Sequence, residues 1–187
     1  MSLPWCNLWL ALCEKSKYEM KIHCRKLYDI DYSNMRSLLL RDGANDWNYI
    51  TEESISTQFT LIDEGKASVV LAEVEEGKII GFAVVIHSDA FPAKLAKYTD
   101  FSDIAYIKEV VVSKSHSGKG LGSKLLQECV LIARSRNASN VFVERHEENA
   151  ASAGMMCKAG FEIVDTFYDP KKRSSGSRNT SVLAKCT

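Results

Sequence analysis

From Leu121 onward the apolar residues fall at Leu121, Leu125, Cys129, Ile132 and Ala133, with Leu126 and Val130 widening the stripe. This spacing predicts a helix to about residue 137 with one face against a core. Ahead of it, residues 104–112 form a run rich in Ile and Val that reads as a strand, and residues 140–145 read as the next one. Residues 67–87 divide into two apolar runs around a Glu-Gly turn, the pattern of a hairpin. Two helices are predicted earlier. One is capped by Asp29 or Asp31, extends to about residue 41 with Leu38 and Leu39 inward, and stops at Gly43; the other opens at Thr51 and stops at Gly65. Residues 20–28 read as a first strand. A short helix fits residues 149–159, ended by Gly160, and residues 161–168 and 180–186 read as the last two strands.

The predicted order is therefore β-α-α-β-β-β-α-β-α-β-β. No internal repeat occurs and no linker divides the chain, so one α+β domain with a single mixed sheet is expected. The connection over residues 88–103 is long for a compact domain, holds Pro92 and three aromatics, and belongs to the class of loops that carries function. The basic run Lys171-Lys172-Arg173 with Arg178 reads as the solvated tip of the last hairpin, with the border of an acceptor site as the other reading.

Composition narrows the function classes. The chain has 187 residues, with 24 basic and 24 acidic side chains. That length suits one sizeable core, and zero formal charge argues against an electrostatic nucleic-acid binder. The six cysteines form no C-x-x-C pair, which suits a reducing compartment, so a cytoplasmic location is expected. Four scattered histidines give no legible metal site. No apolar run is long enough to span a membrane, and no membrane partner is expected. In residues 1–19, Trp5, Leu8, Trp9 and Leu12 share one face of a short amphipathic helix, expected to dock on the protein's own core. Met20 reads as a natural start, which makes residues 1–19 an N-terminal extension or an added remnant and residues 20–187 the domain.

The chemistry centres on residues 115–126, SHSGKGLGSKLL, where Gly118, Gly120 and Gly122 alternate at a strand-to-helix junction. Glycine lets backbone approach a ligand, and the first helical turn offers unpaired N–H groups and the positive end of the dipole. An anion is the ligand class this selects. The Walker phosphate loop fails, because Gly118-Lys119 is followed by Gly120 and position 113 is Ser113. The dinucleotide fingerprint fails as well, since the third glycine place holds Ser123 or Leu125.

Ser115 to Gly120 follows an Arg/Gln-x-x-Gly-x-Gly/Ala loop at both glycines, with Ser115 in the Arg/Gln place. Asn149 to Phe161 follows a second pattern at its Asn and at Gly160-Phe161. On these two motifs, in this element order, the sequence resembles the GNAT superfamily of acetyl-CoA-dependent N-acyltransferases from Met20 to the C-terminus. The resemblance implies a mostly antiparallel mixed sheet flanked by helices, with strands four and five splayed around the acyl-CoA. It implies that the pyrophosphate sits on Ser117, Gly118, Lys119, Gly120, Leu121, Gly122 and Ser123. The pantetheine arm would pair with Val110, Val111 and Val112, and Asn149 and Met156 would border it.

The implied reaction is direct attack of a primary amine, small-molecule or peptide, on the thioester of acetyl-CoA, with no metal. A free alkyl amine has a pKa of about 10, so a base must take its proton. Glu109 on the fourth strand and Glu144 at the end of the fifth are the candidates; Glu144 matches the place of the catalytic glutamate in the ribosomal-protein N-terminal acetyltransferases. The family's tyrosine acid falls at Met156, which cannot donate a proton. Tyr168 is then the other candidate acid, and unassisted departure of the thiolate is the expectation preferred here. A homodimer is a further expectation. The rival class is a non-catalytic acyl-CoA-binding or sensing domain on the same fold, and a nucleotide-binding module is the third.

Overall fold

The computed structural model describes residues 20–74, 77–87, 90–99 and 103–187. The helix expected in residues 1–19 and part of the 88–103 connection lie outside the described residues. The strands are β1 (Lys21–His23), β2 (Ala67–Val74), β3 (Lys78–Ile86), β4 (Ile104–Val112), β5 (Asn140–His146), β6 (Glu162–Tyr168) and β7 (Asn179–Cys186); the helices are α1 (Asp29–Leu38), α2 (Glu52–Asp63), α3 (Leu121–Ser135) and α4 (Ala150–Lys158). The order matches the one read from hydrophobic periodicity.

One seven-stranded sheet runs β1-β2-β3-β4-β5-β7-β6. Every pairing is antiparallel except β4 with β5. The sheet is apolar on both faces, which is why β3 reads as a continuous hydrophobic run. Val70, Ala83, Ala105, Ile107 and Val143 meet α3 and α4 through Leu125, Leu126, Cys129 and Met156. Leu71, Phe82, Val84, Tyr106, Val111 and Phe142 form the opposite core with Met35, Leu38 and Ile55 of α1 and α2.

Local chemistry sets the boundaries. Thr51 and Ser54 exchange hydrogen bonds of 3.1 and 3.2 Å to open α2, a reciprocal cap. Asn149 Oδ1 accepts the Ser152 N–H at 3.0 Å to open α4. The cap of α1 differs from the reading: Tyr28 is the flanking residue, and Asp31 reaches back to accept its N–H at 2.7 Å. Asp31 is buried because Arg25 clamps it at 2.6 Å and reaches Glu73 of β2 as well. That clamp corrects the first strand, expected over 20–28. Pairing stops at His23, and the chain turns away from the sheet to place Arg25 between the two carboxylates. After Leu38 the helix loosens into one π turn over Leu39–Gly43, which carries the chain toward β4.

Candidate active site

The parallel ladder between β4 and β5 holds for four residue pairs, Ile104↔Asn140 to Ile107↔Val143. Past that point the strands diverge. Lys108 is bulged out of the β3–β4 register, since Val84 faces Glu109 and Val85 faces Ile107. A bulge bends its strand and increases the local twist. Beyond it β4 stays bonded to β3 and β5 stays bonded to β7. The inner edges of residues 108–112 and 144–146 thus face a shared cavity of about 530 Å³, a size typical of small-ligand sites.

One end of this cavity is the glycine turn. Gly118 and Gly120 both adopt left-handed backbone, φ +75° and +77°, and a Cβ at either place would meet nothing within 4 Å. The space over the turn is open. Gly120 is the N-cap of α3, and the first helical bond is Lys124 N–H to Gly120 O at 3.2 Å. The amides from Gly120 to Ser123 therefore have no carbonyl one turn back and suit a phosphate group. The Ser117 amide and hydroxyl are already engaged by Lys114 O, so the cradle starts at Gly118. Gly122 has a different reason for being glycine. A Cβ there would run into the Met155 side chain, so its absence makes room for α4 against α3, and Ser123 Oγ donates to Met155 O at 2.9 Å across the same junction.

Most residues expected to touch the cofactor line the cavity: Val110, Val111, Val112, Ser117, Gly118, Gly120, Leu121, Gly122, Ser123, Asn149 and Met156. Lys119 is exposed and does not. Tyr168, on the edge strand β6, is 62% exposed and also lies outside it.

The two carboxylates sit in contrasting surroundings. Glu109 lines the cavity, and Asn48 Nδ2 approaches its carboxyl at a long 3.5 Å. Burial pushes its carboxyl up to about 7, against a smaller downward pull from Lys108. The Glu144 side chain is 1% exposed and is gripped at Oε2 by Lys172 (2.5 Å) and Lys94 (3.0 Å). Burial pushes this carboxyl up too, but the two ammonium groups outweigh it and hold it below its ordinary value. Glu144 Oε1 has no partner among the described residues.

Several residues at this end were not singled out from sequence. Trp47 and Asn48 come from the turn after α1, and Lys94 comes from the 88–103 connection. His146 stacks on Trp47 at 4.6 Å between ring centres. Its Nε2 donates to Ser175 O at 3.0 Å and its Nδ1 accepts the Glu148 N–H at 3.1 Å. Both nitrogens are occupied, which orients the ring against Trp47. The β6–β7 connection is not a solvated tip throughout. Arg173 is buried in the cavity wall, while Lys171 and Arg178 stay exposed. Only a tertiary contact with Trp47 could have indicated this.

The sequence pattern of the family described as "Acetyltransferase (GNAT) family" matches residues 26–161. No curated protein sequence matches the chain. Among solved structures, an N-acetyltransferase from Staphylococcus aureus is 18% identical with a TM-score of 0.68, covering 90% of this chain and 98% of its own. The ribosomal-protein-S18-alanine N-acetyltransferase of Escherichia coli is 16% identical with a TM-score of 0.66, covering 90% and 94%. A Bacillus subtilis acetyltransferase in complex with CoA is 15% identical with a TM-score of 0.65, covering 90% and 99%. At these identities the likeness establishes a common fold.

Proposed function

The chain belongs to the GNAT acetyltransferase family, and on that premise we propose that it moves an acetyl group from acetyl-CoA to a primary amine by direct attack. The observation that carries the reading is Glu109, a carboxyl pushed up to about 7 in the wall of a cavity that begins at an open glycine turn. A general base is most effective when its pKa lies near the working pH.

Acetyl-CoA supplies a thioester carbonyl for attack and a thiol as leaving group. The free amides from Gly118 to Ser123 take the pyrophosphate, and the open edge of Val110–Val112 takes the amide groups of the arm, which also satisfies that edge. Glu109 takes one proton from the acceptor's ammonium form, so the nitrogen lone pair is free. The C–N bond forms, the C–S bond breaks, and a backbone N–H of the Val110–Val112 segment donates to the oxyanion between them. Sulfur leaves as thiolate, tolerable for a thiol with a pKa of about 8.5, and then takes the second proton that the nitrogen sheds as the amide forms, giving free thiol. Glu144, already holding two lysines, is a positioning residue in this scheme.

One observation favours the rival reading of a non-catalytic acyl-CoA sensor. Met156, in the family's tyrosine place, offers no proton and is buried beside the cavity. Release of free thiol from acetyl-CoA over a panel of amines separates the two. The transferase reading expects release with at least one amine. Stabilisation by coenzyme A without release from any amine leaves only the sensor.

A further inference from the structure

Arg173 brings to the cavity wall a guanidinium that makes no direct ion pair among the described residues. It is 6% exposed. Its Nε donates to Thr180 Oγ1 at 2.9 Å and its Nη1 to Trp47 O at 3.2 Å, both neutral acceptors. Nη2 takes no partner among the described residues. The two carboxylates that favour its charge, Glu144 and Asp169, make their direct contacts with other groups: Glu144 Oε2 with Lys172 and Lys94, and Asp169 with Lys94 at 3.2 Å and the Thr180 hydroxyl at 3.1 Å. Three cations, Lys94, Lys172 and Arg173, therefore share two carboxylates. A buried guanidinium with no carboxylate in direct contact is costly, and it is retained here in a wall that a ligand can reach.

The same cavity holds the proposed base. Tyr106 is buried in the β4 strand, and its hydroxyl is pushed well up, first by burial and then by Glu144, while Arg173 pulls it down and Glu109 adds a further push. Tyr106, Glu109 and Arg173 all line this cavity. An acceptor entering here meets Glu109 through its amine and Arg173 through whatever else it carries.

We propose that the acceptor is an anionic amine, whose carboxylate or phosphate pairs with Arg173 while its nitrogen lies at Glu109. The inference rests on the transferase reading above. Arginine suits this task because its planar fork matches both kinds of anion with two parallel bonds. The remaining charges agree. When Glu109 takes its proton the wall becomes more positive, and an anion on the acceptor offsets that change.

The test compares acceptors in neutral and anionic pairs with the full chain and acetyl-CoA, following thiol release: alaninamide with alanine, butylamine with 4-aminobutyrate, and ethanolamine with O-phosphoethanolamine. The expected result is a kcat/KM at least tenfold higher for the anionic member of one or more pairs. The pair that responds tells carboxylate from phosphate. Arg173→Gln should lower that ratio at least tenfold, and Arg173→Lys should keep part of it. Each ratio is internal to one preparation, so a variant that folds only in part still gives a valid reading. Equal or better rates for every neutral member, or a ratio that survives Arg173→Gln, overturn the inference and leave the transferase reading standing. Thiol release from none of the six acceptors, with coenzyme A still stabilising the protein, overturns both.

Discussion

The Lys172 ammonium lies 2.5 Å from Glu144 Oε2, and the Lys94 ammonium reaches the same oxygen at 3.0 Å. Removing the carboxylate charge leaves two half-exposed lysines facing each other. Taking one partner from a buried pair is severe, and solvent at the lysines moderates it, so Glu144→Gln should lose about 1–2 kcal/mol at pH 7. The carboxyl's folded pKa is held below its ordinary 4.5. The parent's advantage is therefore present above that value and disappears as pH falls through the lowered one. Urea denaturation of both proteins at pH 7 and pH 3 measures it; equal stability at pH 7 counts against the clamp.

Glu109 should behave in the opposite way. Its pKa rises on folding from 4.5 to about 7, so its contribution to stability is complete below 4.5 and is lost as pH rises through 7. Glu109→Gln should flatten that loss. In catalysis the ionised form is the active one. The parent's kcat/KM should climb through about pH 7, and Glu109→Gln should lower it about 10²-fold at pH 7 and less at pH 9, where more free amine exists. If Glu144→Gln erases the limb near pH 7 and Glu109→Gln keeps it, the two roles are exchanged.

Gly120 offers a test of the cradle. Gly120→Glu places a side chain at φ +77° in the open space over the turn, with a charge of the same sign as pyrophosphate. Strain of about 1–2 kcal/mol and repulsion act together, and the affinity for coenzyme A in calorimetry should fall at least tenfold. Unchanged affinity with an unchanged circular dichroism spectrum would remove the glycine turn from the binding site.

Tyr168 should be silent. It is 62% exposed on an edge strand and outside the cavity. Tyr168→Phe should leave kcat/KM within about twofold at every pH, because a lost general acid costs about 10² to 10⁴. A descending alkaline limb that vanishes in the variant would make Tyr168 the acid.

Local rules made much of this legible. The stripe from Leu121 to Ala133 marked α3, the glycines marked the turn at one end of the cavity, and both suspected carboxylates line that cavity. Contacts between distant segments were not legible. Nothing in residues 171–173 announces that Lys172 turns toward Glu144 while Arg173 bonds Trp47 O; a run of charges looks the same in either case. The ending of β1 was hidden for a related reason. Cys24 to Tyr28 has strand-like composition, and the ion cluster with Asp31 and Glu73 pulls it off the sheet.

The fork between β4 and β5 also decides how the cavity is reached. Four strands lie on one side and three on the other, fastened along the sheet by four residue pairs. The β6–β7 connection belongs to the smaller part, yet it reaches across the mouth, where Ser175 Oγ bonds Asp46 O and Arg173 bonds Trp47 O. Both cores cross the root of the fork, while its lip is closed by these polar contacts. Anything bulky that enters must undo them or pass beneath them. Access is consequently set by a few bonds between segments far apart in the sequence.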